Sequence, residues 1–409
     1  MVQRMVDYAL LGIAAFPFIY YLLVLYSSLR FFRRPPAAEK SDPPFTPPVS
    51  ILKPIRGLDP DAYENFASFC RQDYPNYEIL FCVGSSDDPV LPLVERLRAE
   101  FPSRQIRVIF HNGSRATNDK VAKLARLTRE AQHEVLVISD SDVRVRTDYL
   151  RSVVAPLAHQ NVGAVTCFYV STGEKTFAER LQTVGMISDF YAGILVAREL
   201  DGVKFALGPT IATRRARLND FGGYAALENR PADDLLVGRL IAEQGYQVEL
   251  LPYTILTVAD YHSMSDLWAK RLRWLVVMRH MRPWGHIGLV FTQGLAWAIA
   301  AVAIRPTPLT ALAYLGFYAA LRTAMTWEIG RRGLSEPGIW RKMLLVPVWD
   351  ALAFTLWLAS FFRSQVRWRN ADYRIVEGQL VPIATPQPTT DHHSGFRAAP
   401  EKLDSEAER

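Results

Sequence analysis

An apolar run over residues 8–32, uncharged until Arg30, most constrains what this chain can fold into. About 20 consecutive apolar residues are enough to cross the hydrocarbon of a bilayer, and so long a stretch is hard to bury in water. A cleaved signal peptide is the competing reading. The run is long for one, few basic residues precede it, and no small-residue cleavage site follows. The expectation is a retained transmembrane anchor, residues 1–34, closed by Phe31-Phe32-Arg33-Arg34. Under the positive-inside rule these arginines place the following segment in the cytoplasm. Residues 35–48 read as a Pro-rich linker.

Three more apolar runs lie near the C-terminus, at 287–304, 309–325 and 343–362, with Arg305-Pro306-Thr307-Pro308 breaking the first from the second. They read as a membrane hairpin plus a third span, residues 287–362. Arg322 and Asp350 inside these runs are costly in lipid, so they are expected to face protein or the interface. Four spans would put the C-terminus outside, whereas Arg363, Arg367 and Arg369 favour the inside. A re-entrant or interfacial run would reconcile the two. Residues 363–409 read as a polar tail, disordered from Thr385.

Between the membrane runs, from residue 49 to about 251, short apolar strands alternate with helical stretches. Strands are expected at 49–52, 77–83, 106–110 and 134–139, helices at 60–72, 91–101 and 120–131. Alternation of this kind predicts an α/β domain with a parallel sheet covered by helices. The net charge of +6 is concentrated beside the apolar runs, at Arg30, Arg33 and Arg34 and again from Arg271 to Arg282. That placement suits a membrane surface better than a nucleic acid, for which no motif is present. Cys70, Cys82 and Cys167 form no CxxC pair, so neither a disulfide framework nor a zinc site is expected; buried free thiols are.

Acidic groups sit where the strands end. Asp140-Ser141-Asp142 directly follows an apolar strand. Ligands of open α/β sheets bind at the carboxyl ends of strands. Two carboxylates one residue apart can share a hard divalent cation, Mg or Mn, which also takes diphosphate oxygens; a solvated polar turn is the plainer alternative. Asp87 and Asp88 follow the second strand and could hold a uracil or ribose, or merely cap the helix after Pro89. Asp233 and Asp234 open a helical run to Glu243, where capping competes with a general base that would deprotonate a lipid hydroxyl. Lys270-Arg271-Leu272-Arg273-Trp274 suits phosphate binding on an interfacial helix, or only a basic membrane-surface helix. Lys53, in the basic loop after the first strand, and Asn118-Asp119-Lys120, ahead of a helix, could reach phosphates or be plain surface.

Taken in order, these motifs resemble the lipid-directed branch of the inverting A-type glycosyltransferases, and more narrowly the ceramide glucosyltransferase family. The block Pro48-Val49-Ser50-Ile51-Leu52-Lys53-Pro54-Ile55-Arg56-Gly57-Leu58-Asp59-Pro60 and the run Asp73-Tyr74-Pro75-Asn76-Tyr77 carry the likeness, which extends to Trp284. The resemblance implies a Rossmann-like A-type glycosyltransferase domain at 49–286, on the cytoplasmic side of a multi-pass membrane protein. It implies that Asp87 and Asp88 contact the nucleotide, that Asp140 and Asp142 hold metal and diphosphate, and that Asp234, beside Asp233, is the base. Lys53, Asn118, Lys120, Lys270, Arg273 and Trp274 become substrate-binding candidates. Lys270 stands where the family's (Q/R)xxRW motif has Gln or Arg, which keeps the charge but loses the planar fork. Gly208-Pro209-Thr210 falls where the family has its acceptor-side loop. The implied reaction moves glucose or a related hexose from a UDP-sugar to a lipid hydroxyl, foremost ceramide, with inversion. Relatives that add N-acetylglucosamine to hopanoids, a processive polysaccharide synthase and a non-catalytic membrane nucleotide-binding protein are the alternatives.

Overall fold

The computed structural model describes residues 2–33, 44–111, 117–258, 261–368 and 371–383. Most of the linker and the tail from Thr385 lie outside them.

Eight strands form one sheet: β1 (Val49–Pro54), β2 (Tyr77–Val83), β3 (Gln105–Phe110), β4 (Val135–Ile138), β5 (Val143–Arg144), β6 (Val162–Thr172), β7 (Ile211–Arg214) and β8 (Gln247–Val258). Their order is β3-β2-β1-β4-β7-β6-β8-β5. The half made of β3, β2, β1 and β4 is parallel, as the alternating pattern predicts. The other half is mixed: β7 runs antiparallel to β4 and β6, and β5 antiparallel to β8. The sequence pattern did not foresee those reversals.

The period-two geometry of a strand sends alternate side chains to opposite faces. Val49, Ile51, Ile79, Phe81, Val135 and Val137 enter one buried cluster, with the helices Ala62–Cys70 and Leu91–Glu100. Leu52, Leu80, Cys82, Leu136 and Ile138 enter another, against the helices Asp119–Glu130 and Asp233–Glu243. Central strands buried on both faces are read as continuous apolar runs. Each fully buried side chain of this size contributes about 1.5–3 kcal/mol before entropy is counted. The three cysteines are free and buried, as expected.

A third cluster joins the domain to the apolar helices. Tyr21, Val24 and Phe31 of the N-terminal helix pack with Phe168, Tyr191 and Leu195, and with Ala298, Tyr318 and Met325. Among the described residues, two helices can cross a bilayer by length and composition, Val2–Phe32 and Ile339–Phe361. The bent pair Pro283–Thr292 and Gly294–Ile304, broken by 55°, makes a third if it is one span. Arg322 and Asp350 do face protein. The guanidinium pairs with both carboxylate oxygens and reaches the Ser188 carbonyl, and Tyr318 donates to Asp350 Oδ2 at 2.8 Å.

The polar segment after the last apolar helix contains structure that the sequence reading missed. β9 (Gln365–Trp368), β10 (Ala371–Val376) and β11 (Gln379–Pro382) form a small antiparallel sheet. Val366, Ile375 and Leu380 bury themselves against Val276 and Val277 of the helix Met264–Met281.

Candidate active site

The carboxyl ends of β1 and β4 open onto a cleft of about 420 Å³, lined by Arg56, Asp59, Lys120, Asp140, Ser141 and Asp142 among others. The turn that carries the aspartates is held from below. Lys53 is fully buried, its ammonium 2.8 Å from the Asp140 carbonyl and 3.8 Å from the centre of the Phe69 ring. Burial pulls its pKa down to about 7, against the charges of Asp140, Asp142 and Asp59. Lys53 therefore supports the turn from the core side. Ser141 donates to Asp59 Oδ2 and fixes the turn from the side.

Asp142 is pushed up to about 7, first by burial and then by the negative charges of Asp140 and Asp59. Lys120 answers part of this charge: its ammonium lies 2.6 Å from Asp140 Oδ1 and 3.7 Å from Asp233 Oδ2. Burial works against the ammonium, but Asp140, Asp233 and Asp234 outweigh it and hold the pKa well above the ordinary lysine range. Asn118 caps the Lys120 helix, accepting from the Val121 N–H at 3.4 Å, and it donates to the Arg230 carbonyl at 3.3 Å. Asn118 thereby fixes the start of the helix that carries Lys120.

Asp233 and Asp234 begin the helix Asp233–Glu243, immediately after Ala232, whose φ of 56° is a left-handed conformation uncommon for a residue with a Cβ. Strain of that kind is maintained only by surrounding structure. Asp234 Oδ2 accepts from the Gly208 N–H at 3.0 Å and Oδ1 from the Leu235 N–H at 2.8 Å. The contact with Gly208 depends on a close approach one helical turn further on. A Cβ at Gly238 would come within 2.2 Å of the Phe205 backbone, so only glycine lets the helix lie this near the chain that leads to Gly208. Burial, then the charge of Asp233, pushes Asp234 up to about 6, while Lys120 pulls the other way. A Cβ added to Gly208 would sit 2.9 Å from Asp234 Oδ2 and 3.6 Å from Asp140 Oδ2, so both carboxylates face one small space.

The remaining predicted residues are spread around this centre. Asp88 joins two loops, accepting from the Gly57 N–H at 3.2 Å and the Val90 N–H at 3.1 Å. Asp87 is exposed, its carboxyl lowered by the Ser85 hydroxyl. On the helix Met264–Met281, Lys270 pairs with Asp266 at 3.1 Å and lies 4.7 Å from the Tyr261 ring. Burial lowers the pKa of Arg273, opposed by Tyr261 and Asp266. Trp274 turns to the cluster shared with the apolar helices, its ring 6.0 Å from Phe190. The neighbouring Arg271 is buried between Trp274 and Trp349 and donates to Gln182 Oε1 at 2.6 Å. Lys123 escaped the sequence reading. Its ammonium holds the Ile55 carbonyl at 2.8 Å and Asp119 at 3.1 Å, and the i,i+4 spacing of Asp119 and Lys123 was the available signal.

Among the described residues no group of three or more His, Cys, Asp or Glu side chains is placed to hold a metal alone. Asp140 and Asp142 still suit a hard cation. They are oxygen donors whose crowding raises Asp142, and a cation of the Mg type completes its shell from water and substrate phosphates.

Comparison with known proteins bears on both fold and family. Over 85% of this chain and 99% of the other, the fold matches the mannosyltransferase PcManGT from Pyrobaculum calidifontis, solved in complex with GDP-Man and Mn2+, with a TM-score of 0.53 at 22% identity. Ceramide glucosyltransferase 3 of Caenorhabditis elegans is 24% identical over 391 residues, 91% of this chain and 83% of that protein. Ceramide glucosyltransferase 1 of the same organism is 22% identical over 91% of this chain and 81% of its own length. The ceramide glucosyltransferase of Komagataella phaffii is 32% identical over 136 residues, 32% of this chain and 27% of that protein. The model of glycosyl transferase family 21 matches residues 9–381. With its A-type glycosyltransferase fold and apolar terminal helices, the chain is a membrane glycosyltransferase and belongs to glycosyl transferase family 21.

Proposed function

We propose that this enzyme moves a hexose from a UDP-sugar to the hydroxyl of a membrane lipid, ceramide foremost, in one inverting displacement. The observation that carries the reading is the convergence of Asp140 and Asp234 on the space beside Gly208, next to the cleft. Asp87 and Asp88 would bind the nucleoside. A Mg or Mn ion would be held by Asp140 and Asp142 together with the diphosphate, and when bound it supplies charge stabilisation to the leaving group. Lys120, Lys270 and Arg273 add positive charge toward the diphosphate.

Asp234 takes the proton of the acceptor hydroxyl. The hydroxyl oxygen forms the new bond to the anomeric carbon as the bond to the UDP oxygen breaks, and its electron pair leaves on UDP. Asp234 suits this role because burial has raised its pKa toward the working pH while leaving it mostly ionised at 7. The packing of the domain on the apolar helices supports an acceptor that arrives from the membrane. We further propose a multi-pass topology with the domain on the cytoplasmic side, where nucleotide-sugars are made.

The test is transfer by protein-containing membranes from a panel of labelled UDP-sugars, with ceramide or a hopanoid added, read by lipid mass spectrometry. Glucosylceramide is the expected product, and Asp234→Asn should abolish it while UDP binding persists. A hopanoid product would replace the acceptor. Undiminished turnover by Asp234→Asn would remove the base.

A further inference from the structure

Resting on the assignment of Asp234 as base, we propose that the small C-terminal sheet is a strap that positions this carboxylate, with Leu380 as its positioning residue. The loop ahead of Asp233 and Asp234 is held from two sides. On one side is the segment that starts the Lys120 helix. The Asn118 N–H donates to the Glu228 carbonyl at 2.9 Å, the Asn118 side chain to the Arg230 carbonyl, and the Thr117 N–H to Asn229 Oδ1 at 3.1 Å. On the other side is β11, where the Leu380 N–H donates to the Asn229 carbonyl at 2.8 Å. The Leu380 side chain, 3% exposed, lies in the cluster of Val276, Val277, Val366 and Ile375, and Ala232 packs on that same cluster.

Ala232 is the residue in the left-handed conformation, and the base is two residues further on. A non-glycine residue held there costs roughly 1–3 kcal/mol, so the contacts around it must keep the loop from relaxing. β11 supplies one hydrogen bond to the loop and part of the apolar surface on which Ala232 rests. The strap is tied at its other end as well. Arg279, on the helix beneath the sheet, donates to the Ser360 carbonyl, and at 2.7 Å to the Arg363 carbonyl, where the last apolar helix ends. One continuous set of contacts therefore runs from that helix, through the sheet, to the residue before the acidic pair. The turn of Asp140 and Asp142 is held separately, by Lys53 and Asp59. Loss of the strap should displace Asp234 foremost, because the Lys120 helix keeps its own hold on Asp140 and the turn of Asp140 and Asp142 keeps its separate supports.

The experiment measures kcat, KM for the UDP-sugar and UDP affinity in the full-length protein, with four variants. Leu380→Ala empties the apolar seat and keeps the N–H. Leu380→Met refills it at similar volume. Val381→Ala alters the exposed side of the same strand and serves as control. Asp234→Asn removes the base itself. The expectation for Leu380→Ala is a fall in kcat of about tenfold or more with donor KM and UDP affinity within about twofold. Leu380→Met should restore the rate and Val381→Ala should match wild type. A chain ending at Arg363 should lose kcat further; should it fail to fold, the point variants decide. Wild-type kcat for Leu380→Ala overturns the strap, and so does parallel loss of kcat and UDP affinity, which signals general unfolding. If Asp234→Asn stays active, the base assignment fails instead, whatever Leu380 does.

Discussion

Substituting Gly208 by alanine probes the meeting of carboxylates most directly. Gly208 has no left-handed requirement, so alanine fits the backbone and the effect lies in the side chain. The new methyl would meet Asp234 Oδ2 at 2.9 Å and Asp140 Oδ2 at 3.6 Å. The longer contact is ordinary. The shorter must open by roughly 0.5 Å to reach van der Waals separation. Asp234 is the group that yields, because among the described residues its oxygens are held by hydrogen bonds from its own helix start and the Gly208 N–H alone. Misplacing a catalytic group by about 1 Å costs on the order of 100-fold, and half that distance roughly half as much in the barrier. The expected loss in kcat is therefore about tenfold, or ~1.4 kcal/mol in the barrier. Donor KM and UDP affinity should hardly change, since the Asp140 contact stays relaxed. Steady-state transfer in detergent or nanodiscs, with UDP binding measured alongside, checks both halves. A Gly208→Ala enzyme with wild-type kcat, or one that fails chiefly by losing UDP, would refute the geometry argued for the base.

Two other outcomes follow from the same physics. Asp234 must be ionised to accept a proton and its pKa is raised to about 6, so kcat at saturating metal and donor should fall as the pH drops through about 6 and level off above it; a flat profile from pH 8 to 5 contradicts the assignment. Breaking the Arg322 and Asp350 pair with Arg322→Leu strands a buried carboxylate and should cost about 3–5 kcal/mol, much of it recovered by adding Asp350→Leu. Thermal melts in detergent measure both, and an unchanged melting temperature for the single variant would show that the pair is not buried.

The parallel half of the sheet was legible because strands buried on both faces are written as short apolar runs, such as Ile79 to Val83. β7 gave no such signal. It has four residues, and its antiparallel place between β4 and β6 is set by tertiary contacts. The C-terminal sheet reads as polar tail because its strands show water an exposed face and turn single apolar residues, Val366, Ile375 and Leu380, inward. In the site, Asp140 and Asp142 could be found by their position after a strand, and Asp233 and Asp234 by theirs at the start of a helix. The support could not. Nothing local announces that Lys53 points into the core or that Gly238 permits a helix to close on Phe205, since both depend on segments far apart in the chain. Arg322 and Asp350 were legible for the opposite reason, as charges that lipid would not tolerate.

The ion pair between Lys120 and Asp140 also bears on inhibitor design. A cleft of about 420 Å³ is large enough for a drug-sized molecule. An amine placed against Asp140 would trade one cation for another, because Lys120 already sits 2.6 Å away, and the gain would be small. Asp142 offers the better handle. It forms no ion pair among the described residues, and its carboxyl titrates near neutrality. A compound that contacts Asp142 and leaves Lys120 undisturbed would keep the Lys120 and Asp140 pair intact and compete instead with the metal proposed there.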